Sequence, residues 1–185
     1  DRWKINFSKE PQGQLFDAVV IATGGSPKLQ GFQWLEDLGH SIAPPLPSLF
    51  TFNMPKNPIT RLMGVTVDHA KVKIKGHNIE TEGALLITHW GMSGPAILKA
   101  SAFGAPALAE CQYNFEIQIN WVGERNTEIL FNQLQAFALE HPQKVISKKK
   151  VFPLPQRLWQ YLVEKMEITA DKKWNELGKK KGRQL

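Results

Sequence analysis

Alternating apolar and polar positions predict several strands that each bury one face. The clearest alternation covers residues 113–121, where every second residue is apolar. Shorter alternations occur at residues 3–7 and 70–75, and the lysines of the second are predicted to point outward together. Residues 18–22 form instead an unbroken apolar run, which is typical of a strand buried on both faces. The first two thirds of the chain are therefore predicted to be rich in strands, and residues 49–52 are a further candidate.

The hydrophobic period becomes helical in the last third of the chain. Apolar residues recur at helical spacing from a cap at Asn126 or Thr127 until Pro142 ends the pattern. Pro155 is predicted to open a second helix. Its apolar face is predicted to carry Leu158, Trp159, Leu162, Val163 and Met166.

These periods predict an α+β fold in three parts. Residues 1–46 are predicted to be the end of an α/β domain, with a β-hairpin, a turn at Gly24-Gly25 and a short helix closed by Gly39. A proline-rich linker follows, because each proline fixes φ. Residues 47–124 are predicted to form a β-barrel-like part and residues 125–185 a helical subdomain.

Composition excludes several classes of protein. A hydrophobic content of 42% and a charged content of 22% are ordinary for a globular domain. No apolar run approaches the ~20 residues that a membrane span needs, and no signal peptide is recognised, so no membrane partner is expected. The single Cys111 excludes an internal disulfide and fits a cytoplasmic location. The five histidines show no paired spacing, so no metal site is expected.

Positive charge is concentrated at one end. Residues 1–140 carry 11 Lys and Arg against 13 Asp and Glu, whereas residues 141–185 carry 12 against 4. A third helix capped by Thr169 or Asp171 and a flexible end at residues 179–183 are predicted here. This basic end could bind nucleic acid or an acidic partner, but it also suits a solvated helical face. Because no motif of a nucleic-acid module accompanies the charge, the solvated face is favoured and a nucleic acid partner is not expected.

The predicted buried strand ends in Ala22, Thr23, Gly24 and Gly25. Two glycines at the carboxyl end of a strand remove Cβ atoms where the backbone turns sharply or approaches a ligand. In open α/β sheets, ligands bind outside these carboxyl ends. A plain turn is the alternative interpretation.

A second motif covers residues 88–98. Its sequence predicts a strand, a Gly-Ser-Gly turn and a helix with Pro95 near the first helical position. Thr88, His89, Gly91, Ser93, Gly94 and Pro95 either hold the architecture or face a substrate. A serine hydrolase with Ser93 as nucleophile is a distant alternative, because Pro95 replaces the last glycine of G-x-S-x-G.

Together, the two motifs resemble those of the HI0933-like (YhiN/BaiN-type) family of FAD-dependent oxidoreductases. Residues 20–25 are similar to the Ala-Thr-Gly segment that lies near FAD, and residues 88–98 match the family's Thr-His-x-Gly-x-Ser-Gly-Pro-Ala-x-Leu string. The resemblance implies a flavoprotein oxidoreductase in which Ala22, Thr23, Gly24 and Gly25 bind FAD. It also implies an inserted domain that covers the substrate side of the flavin, with NAD(P)H as candidate electron donor.

The resemblance further implies that these residues are the middle of a longer enzyme. A dinucleotide domain holds its pyrophosphate with G-x-G-x-x-G, and no such motif occurs here. We therefore expect FAD to be bound mainly by other segments and not to be retained by residues 1–185 alone. The loop at residues 26–30 is shorter than is usual in the family, which leaves its flavin contact open. No catalytic residue is assigned, and the small-molecule substrate, the oligomeric state and the activity of this fragment alone stay open.

Overall fold

Contacts along the chain separate it into two units, residues 1–45 and residues 46–185. The structure is a computed structural model that describes residues 2–26, 28–123 and 126–184. The strands are Trp3–Phe7 (β1), Glu10–Phe16 (β2), Phe52–Asn53 (β3), Thr66–Ile74 (β4), Ile79–Ile87 (β5), Gly91–Ser93 (β6) and Ile117–Asn120 (β7). The helices are Gln33–Glu36 (α1), Pro95–Phe103 (α2), Ala105–Glu110 (α3), Thr127–Glu140 (α4), Gln156–Lys165 (α5) and Lys179–Gln184 (α6).

The first unit contains the predicted hairpin and the predicted short helix. Strands β1 and β2 pair antiparallel, with Trp3 opposite Phe16. Helix α1 ends where Gly39 adopts a φ of +90°. There the Gly39 N–H donates to Glu36 O at 2.8 Å and the His40 N–H donates to Leu35 O at 3.1 Å, the pattern of a Schellman cap.

The prediction of a buried strand at residues 18–22 is wrong. These residues are exposed and belong to no strand, and Val20 is 91% exposed. An apolar run forms a buried strand only where neighbouring strands supply hydrogen bonds on both sides. In the described part of the chain, the sheet of the first unit consists of β1 and β2 alone.

A five-stranded sheet organises the second unit, in the order β3-β6-β5-β4-β7 with every pair antiparallel. The sheet curls into a half-barrel, as the β-barrel-like prediction requires. Strand β4 buries Val72 and Ile74 completely, while Lys71 and Lys73 lie on the other face as predicted. An ion pair between side chains also joins β4 to β5, with the Lys71 ammonium 2.6 Å from the Glu80 carboxylate.

Several strand boundaries differ from the sequence prediction. Strand β4 begins at Thr66, ahead of the alternation predicted at residues 70–75, and continues through Asp68 and His69, because a bulge between Val67 and Ala70 absorbs the extra residues. The strand predicted at residues 113–121 shortens to β7, and that predicted at residues 49–52 shortens to β3. In both cases the chain enters the strand through left-handed residues, which cannot pair in a ladder.

Helix α2 packs on the sheet and completes the core of the half-barrel. Ala96, Ile97 and Ala100 are fully buried against it. The Thr81 hydroxyl donates to Ala96 O at 2.7 Å and so joins β5 to the first turn of α2. Small side chains on α2 allow this close approach. The apolar surface that the contact buries stabilises the fold by about 25 cal/mol per Å².

The helical part confirms the predicted caps of two helices. The Asn126 side chain accepts a hydrogen bond from the Ile129 N–H at 2.8 Å and starts α4. Pro155 precedes α5, which buries Leu158 and Trp159. The indole of Trp159 donates to Ile146 O at 2.7 Å, and the indole of Trp174 donates to Lys149 O at 3.1 Å. The two stacked tryptophans thereby fix the loop between α4 and α5.

The end of the chain differs from the prediction. Thr169 and Asp171 do not cap a helix; a short 3-10 turn at residues 174–176 is capped instead by Lys173 and Glu176. The predicted flexible end at residues 179–183 lies within α6, where the Arg183 guanidinium covers the Phe131 ring at 5.0 Å. Among the described residues, no helix combines the length and the apolar sequence that a membrane span requires.

We predict that Trp174→Phe lowers the free energy of unfolding by about 1–3 kcal/mol, because it leaves the Lys149 carbonyl without its donor. Trp90→Phe serves as the control, since Trp90 is 42% exposed and an exposed substitution costs about 0.5 kcal/mol or less. Urea denaturation measures both. Equal stabilities of the two variants would contradict the role of the Trp174 indole.

Candidate functional site

The turn at residues 22–25 lies open in the first unit. Ala22, Thr23, Gly24 and Gly25 are all exposed, and Gly24 has a φ of +79°. In the described part of the chain, no atom beyond the adjacent residues lies within 4 Å of the position that a Cβ would occupy on Gly24 or Gly25. A ligand can therefore approach this backbone without displacing protein atoms.

A cavity of about 410 Å³ adjoins the turn. One wall is the turn itself, and the other contains Phe32, Trp34 and Leu35 from the region of α1. The Trp34 indole donates to Gly31 O at 3.1 Å, which holds the ring in place. A volume of this size accommodates a ring system or one part of a dinucleotide. The residues therefore fit a portion of FAD, whereas no helix of eight or more residues in the described part of the first unit offers its N-terminus to a pyrophosphate.

The second motif forms a tight turn between β5 and β6. The Thr88 N–H donates to Gly91 O at 2.9 Å, and the Gly91 N–H donates to Thr88 Oγ1 at 3.1 Å. Thr88 is buried, so both bonds are shielded from water. The Met54 N–H donates to Trp90 O at 2.7 Å and joins the turn to β3. The turn is thus held both by its own hydrogen bonds and by the hydrogen bond to Met54.

The two glycines of the motif are required by close backbone packing. A Cβ on Gly91 would overlap Phe52 O. A Cβ on Gly94 would lie 2.7 Å from Ala84 O, and Gly94 has a φ of +99°. Gly94 is also the N-cap residue of α2, with Pro95 at its first position. Gly91, Gly94 and Pro95 therefore have an architectural role in this structure.

His89 is the residue of the motif that the turn presents to solvent, together with the adjacent Trp90. Both side chains are exposed, and their rings meet edge to face at 4.3 Å between centroids. Ser93 lies in β6 opposite Leu86. No hydrogen bond joins Ser93 to Asp68, His69 or His89, all of which the structure describes. The serine hydrolase alternative therefore has no geometric support.

The sequence did not predict a cleft at the bulge of β4. Asp68, His69, Glu82 and Trp121 line this cleft of about 880 Å³. The signal for it was two successive polar residues, Asp68 and His69, which break the alternation of β4. A bulge commonly aims side chains in this way.

The sequence of the second unit matches the HI0933-like protein barrel and H2TH domain over residues 46–185. This chain belongs to the HI0933-like family. The match begins at the boundary between the two units and covers both the half-barrel and the helices that pack on it. The recognition made from residues 20–25 and 88–98 is thereby confirmed.

Two curated relatives of this HI0933-like chain are named as enzymes, one a synthase and the other a reductase. It is 28% identical over 154 residues to a ribosomal RNA dihydrouridine synthase of Haemophilus influenzae, covering 79% of this chain and 35% of that protein. It is 29% identical over 108 residues to a 3-dehydro-bile acid delta(4,6)-reductase of Clostridium scindens, covering 53% of this chain and 26% of that protein. The matched region therefore spans about a third or less of each relative.

We predict that Gly94→Ala destabilises this HI0933-like chain more than Gly64→Ala. Both positions have positive φ, which costs an alanine about 1–2 kcal/mol, but only Gly94 also packs against backbone. No described atom lies within 4 Å of a Cβ on Gly64. The overlap adds about 1–3 kcal/mol for Gly94→Ala in urea denaturation. Equal losses in the two variants would contradict the close approach.

Proposed function

We propose that this chain is part of an FAD-dependent oxidoreductase that reduces its substrate. The open backbone at Thr23, Gly24 and Gly25 carries the proposal, since its glycines have no described neighbour within 4 Å of a Cβ. The names of both relatives support the proposal. Dihydrouridine is the reduced form of uridine, and a delta(4,6)-reductase is named for a reduction. We expect it to act in the cytoplasm, in keeping with the single Cys111.

The residues of the first unit would hold one portion of FAD. The exposed backbone of Ala22–Gly25 would donate and accept hydrogen bonds, and the Trp34 wall of the cavity would pack against a ring. When bound, the flavin would accept a hydride from a donor such as NAD(P)H and pass it to the substrate. The second unit would cover the substrate side of the flavin and exclude water. His89 is an exposed residue of its motif and would be free to face a substrate.

We predict that Gly24→Val reduces bound FAD, because valine is strained at positive φ and its side chain blocks the approach to the backbone. Gly76→Val is the matched control, since Gly76 also has a φ of +79° and no neighbour within 4 Å but lies in the turn after β4. Both variants are made from the complete coding sequence, FAD released by denaturation is measured per protein, and the affinity of the stripped protein for FAD is measured by titration.

The expected result is at least about a tenfold loss of FAD affinity in Gly24→Val, which corresponds to 1.4 kcal/mol, and no loss in Gly76→Val. A folded wild-type protein that binds no FAD would contradict the proposed function. Full occupancy in Gly24→Val would remove the turn at residues 22–25 from the cofactor site.

A second candidate function is the binding of RNA by the helical part. Residues 141–185 carry 12 Lys and Arg against 4 Asp and Glu. In the described part of the chain, none of these cations forms an ion pair with a carboxylate; Glu164 pairs instead with Arg61. Lys144, Lys148 and Lys149 are exposed in the loop that Trp159 and Trp174 fix. One relative is named for ribosomal RNA, which favours RNA over an acidic protein.

We predict that reversing Lys148 and Lys149 to Glu weakens binding of a single-stranded RNA oligomer and flattens its dependence on salt. Each lost phosphate contact lowers the slope of log K against log salt by about 0.7–0.9. Reversing Lys4 and Lys9 changes the net charge equally but lies in the first unit, so it serves as the control. Fluorescence anisotropy at several salt concentrations measures both slopes. Equal slopes in the two variants would remove the helical part as an RNA-binding surface.

A further inference from the structure

A second cavity opens in the half-barrel where its two outer strands face each other. Strands β3 and β7 end the sheet on its two sides, and each pairs with a single neighbour in the described part of the chain. The cavity between them has a volume of about 590 Å³, within the range of small-molecule sites. It is lined by Pro47, residues 50–54, Tyr113 and residues 115–117. All of its lining residues belong to the second unit, and none of them lines the cavity at residues 22–25.

Four aromatic rings contribute to the wall of this cavity. The Phe52 and Phe115 rings meet edge to face at 4.9 Å, which brings the two outer strands together. The Phe50 and Tyr113 rings meet in the same manner at 5.8 Å. Tyr113 is 42% exposed at the mouth of the cavity. A large aromatic side chain usually buries most of its surface, so this exposure is unusual. The rings are thus arranged around an open space instead of filling it.

The backbone that carries these rings is strained. Leu49, Gln112 and Tyr113 have φ values of +56°, +53° and +59°. All three lie in the cavity wall or next to it, on both of its sides. A left-handed conformation at a residue other than glycine is unfavourable, and such residues concentrate at ligand sites. Here the strain turns Phe50 and Tyr113 toward each other across the mouth.

The polar groups of the wall favour an uncharged ligand. Glu116 is the acidic residue of the wall, and its carboxylate is paired with the Lys75 ammonium at 2.9 Å. Its charge is therefore already compensated. In contrast, the side chains of Thr51 and Asn53 form no hydrogen bond with another described residue. A hydroxyl and an amide at the rim can bind one polar substituent of a ligand.

We propose that this cavity binds a flat, uncharged molecule with fused rings and one polar substituent. The rings of the ligand pack between Phe50, Phe115 and Tyr113, and its substituent lies beside Asn53. The site goes beyond the proposed oxidoreductase function, because all of the residues that line it belong to the second unit.

The test uses 2-naphthol as probe, titrated by calorimetry into protein expressed from its complete coding sequence and saturated with FAD. Saturation keeps the probe out of the cofactor site, so failure here leaves the FAD proposal untouched. The anion 2-naphthoate and the cation 2-naphthyltrimethylammonium have the same rings and serve as charge controls. We expect saturable binding of 2-naphthol that is tighter than that of either ion. An absence of saturable binding, or tighter binding of the cation, overturns the proposal.

Two variants assign the binding to this cavity. Tyr113→Ala is expected to weaken 2-naphthol about fivefold, the loss of one aromatic contact. Phe103→Ala is the control, because Phe103 is 74% exposed at the end of α2 and lies outside the cavity. Asn53→Asp introduces a charge at the exposed rim and is expected to make the cation the tightest ligand. Unchanged affinity in Tyr113→Ala, or an unchanged order of ligands in Asn53→Asp, overturns the proposal.

Discussion

The close approach of the turn at Gly94 to strand β5 is the contact on which the second unit depends. A Cβ on Gly94 would lie 3.1 Å from the Leu86 nitrogen as well as close to Ala84 O, so only glycine allows this spacing. The same residue starts α2, whose Leu98 N–H donates back to Gly94 O at 2.9 Å. Helix α2 then covers the sheet and closes the core around Leu85 and Ile97. Because the close approach at Gly94 fixes the end of β6, it also fixes the position of β6 and of the turn at residues 88–90.

The helical part is attached to the half-barrel by polar and aromatic contacts. Arg61 pairs with Glu164 of α5, and its guanidinium lies over the Tyr161 ring at 5.2 Å. Burial of Tyr161 raises the pKa of its hydroxyl, and the nearby Arg61 cation offsets only part of this rise. Arg157 donates to Arg61 O at 2.9 Å and strengthens the same junction. The apolar faces of the helices pack in these contacts and against the two tryptophans. The lysines of residues 141–185 therefore lie on the solvent side of the helical part.

Local sequence chemistry predicted the features that depend on few residues. Asn126, Pro155, Gly39 and Gly94 each specify a cap or a turn by their own conformational preference, and all four are found in those roles. The family was likewise recognised from two short motifs. The open turn at residues 22–25 was predicted as a ligand site, and its glycines are accessible, although its binding of FAD stays a prediction.

The features that the sequence did not predict depend on distant neighbours. Whether residues 18–22 form a buried strand is decided by strands beside them, which their own apolar pattern cannot reveal. The cavity between β3 and β7 forms only when the whole sheet curls, because its walls come from residues about 60 positions apart. A local sequence pattern cannot predict it. The order in α6 likewise depends on contact of Arg183 with Phe131, far away in sequence.

Hydrogen exchange under native conditions tests the central role of the Gly94 turn most directly. The amide of Leu98 reports the first turn of α2, and the amide of Ile87, which donates to Val65 O at 2.9 Å, reports β5. If the turn joins helix and sheet into one cooperative unit, both amides exchange with the same opening free energy, that of global unfolding. A markedly lower opening free energy for Leu98 than for Ile87 would mean that α2 detaches on its own, and would contradict the account.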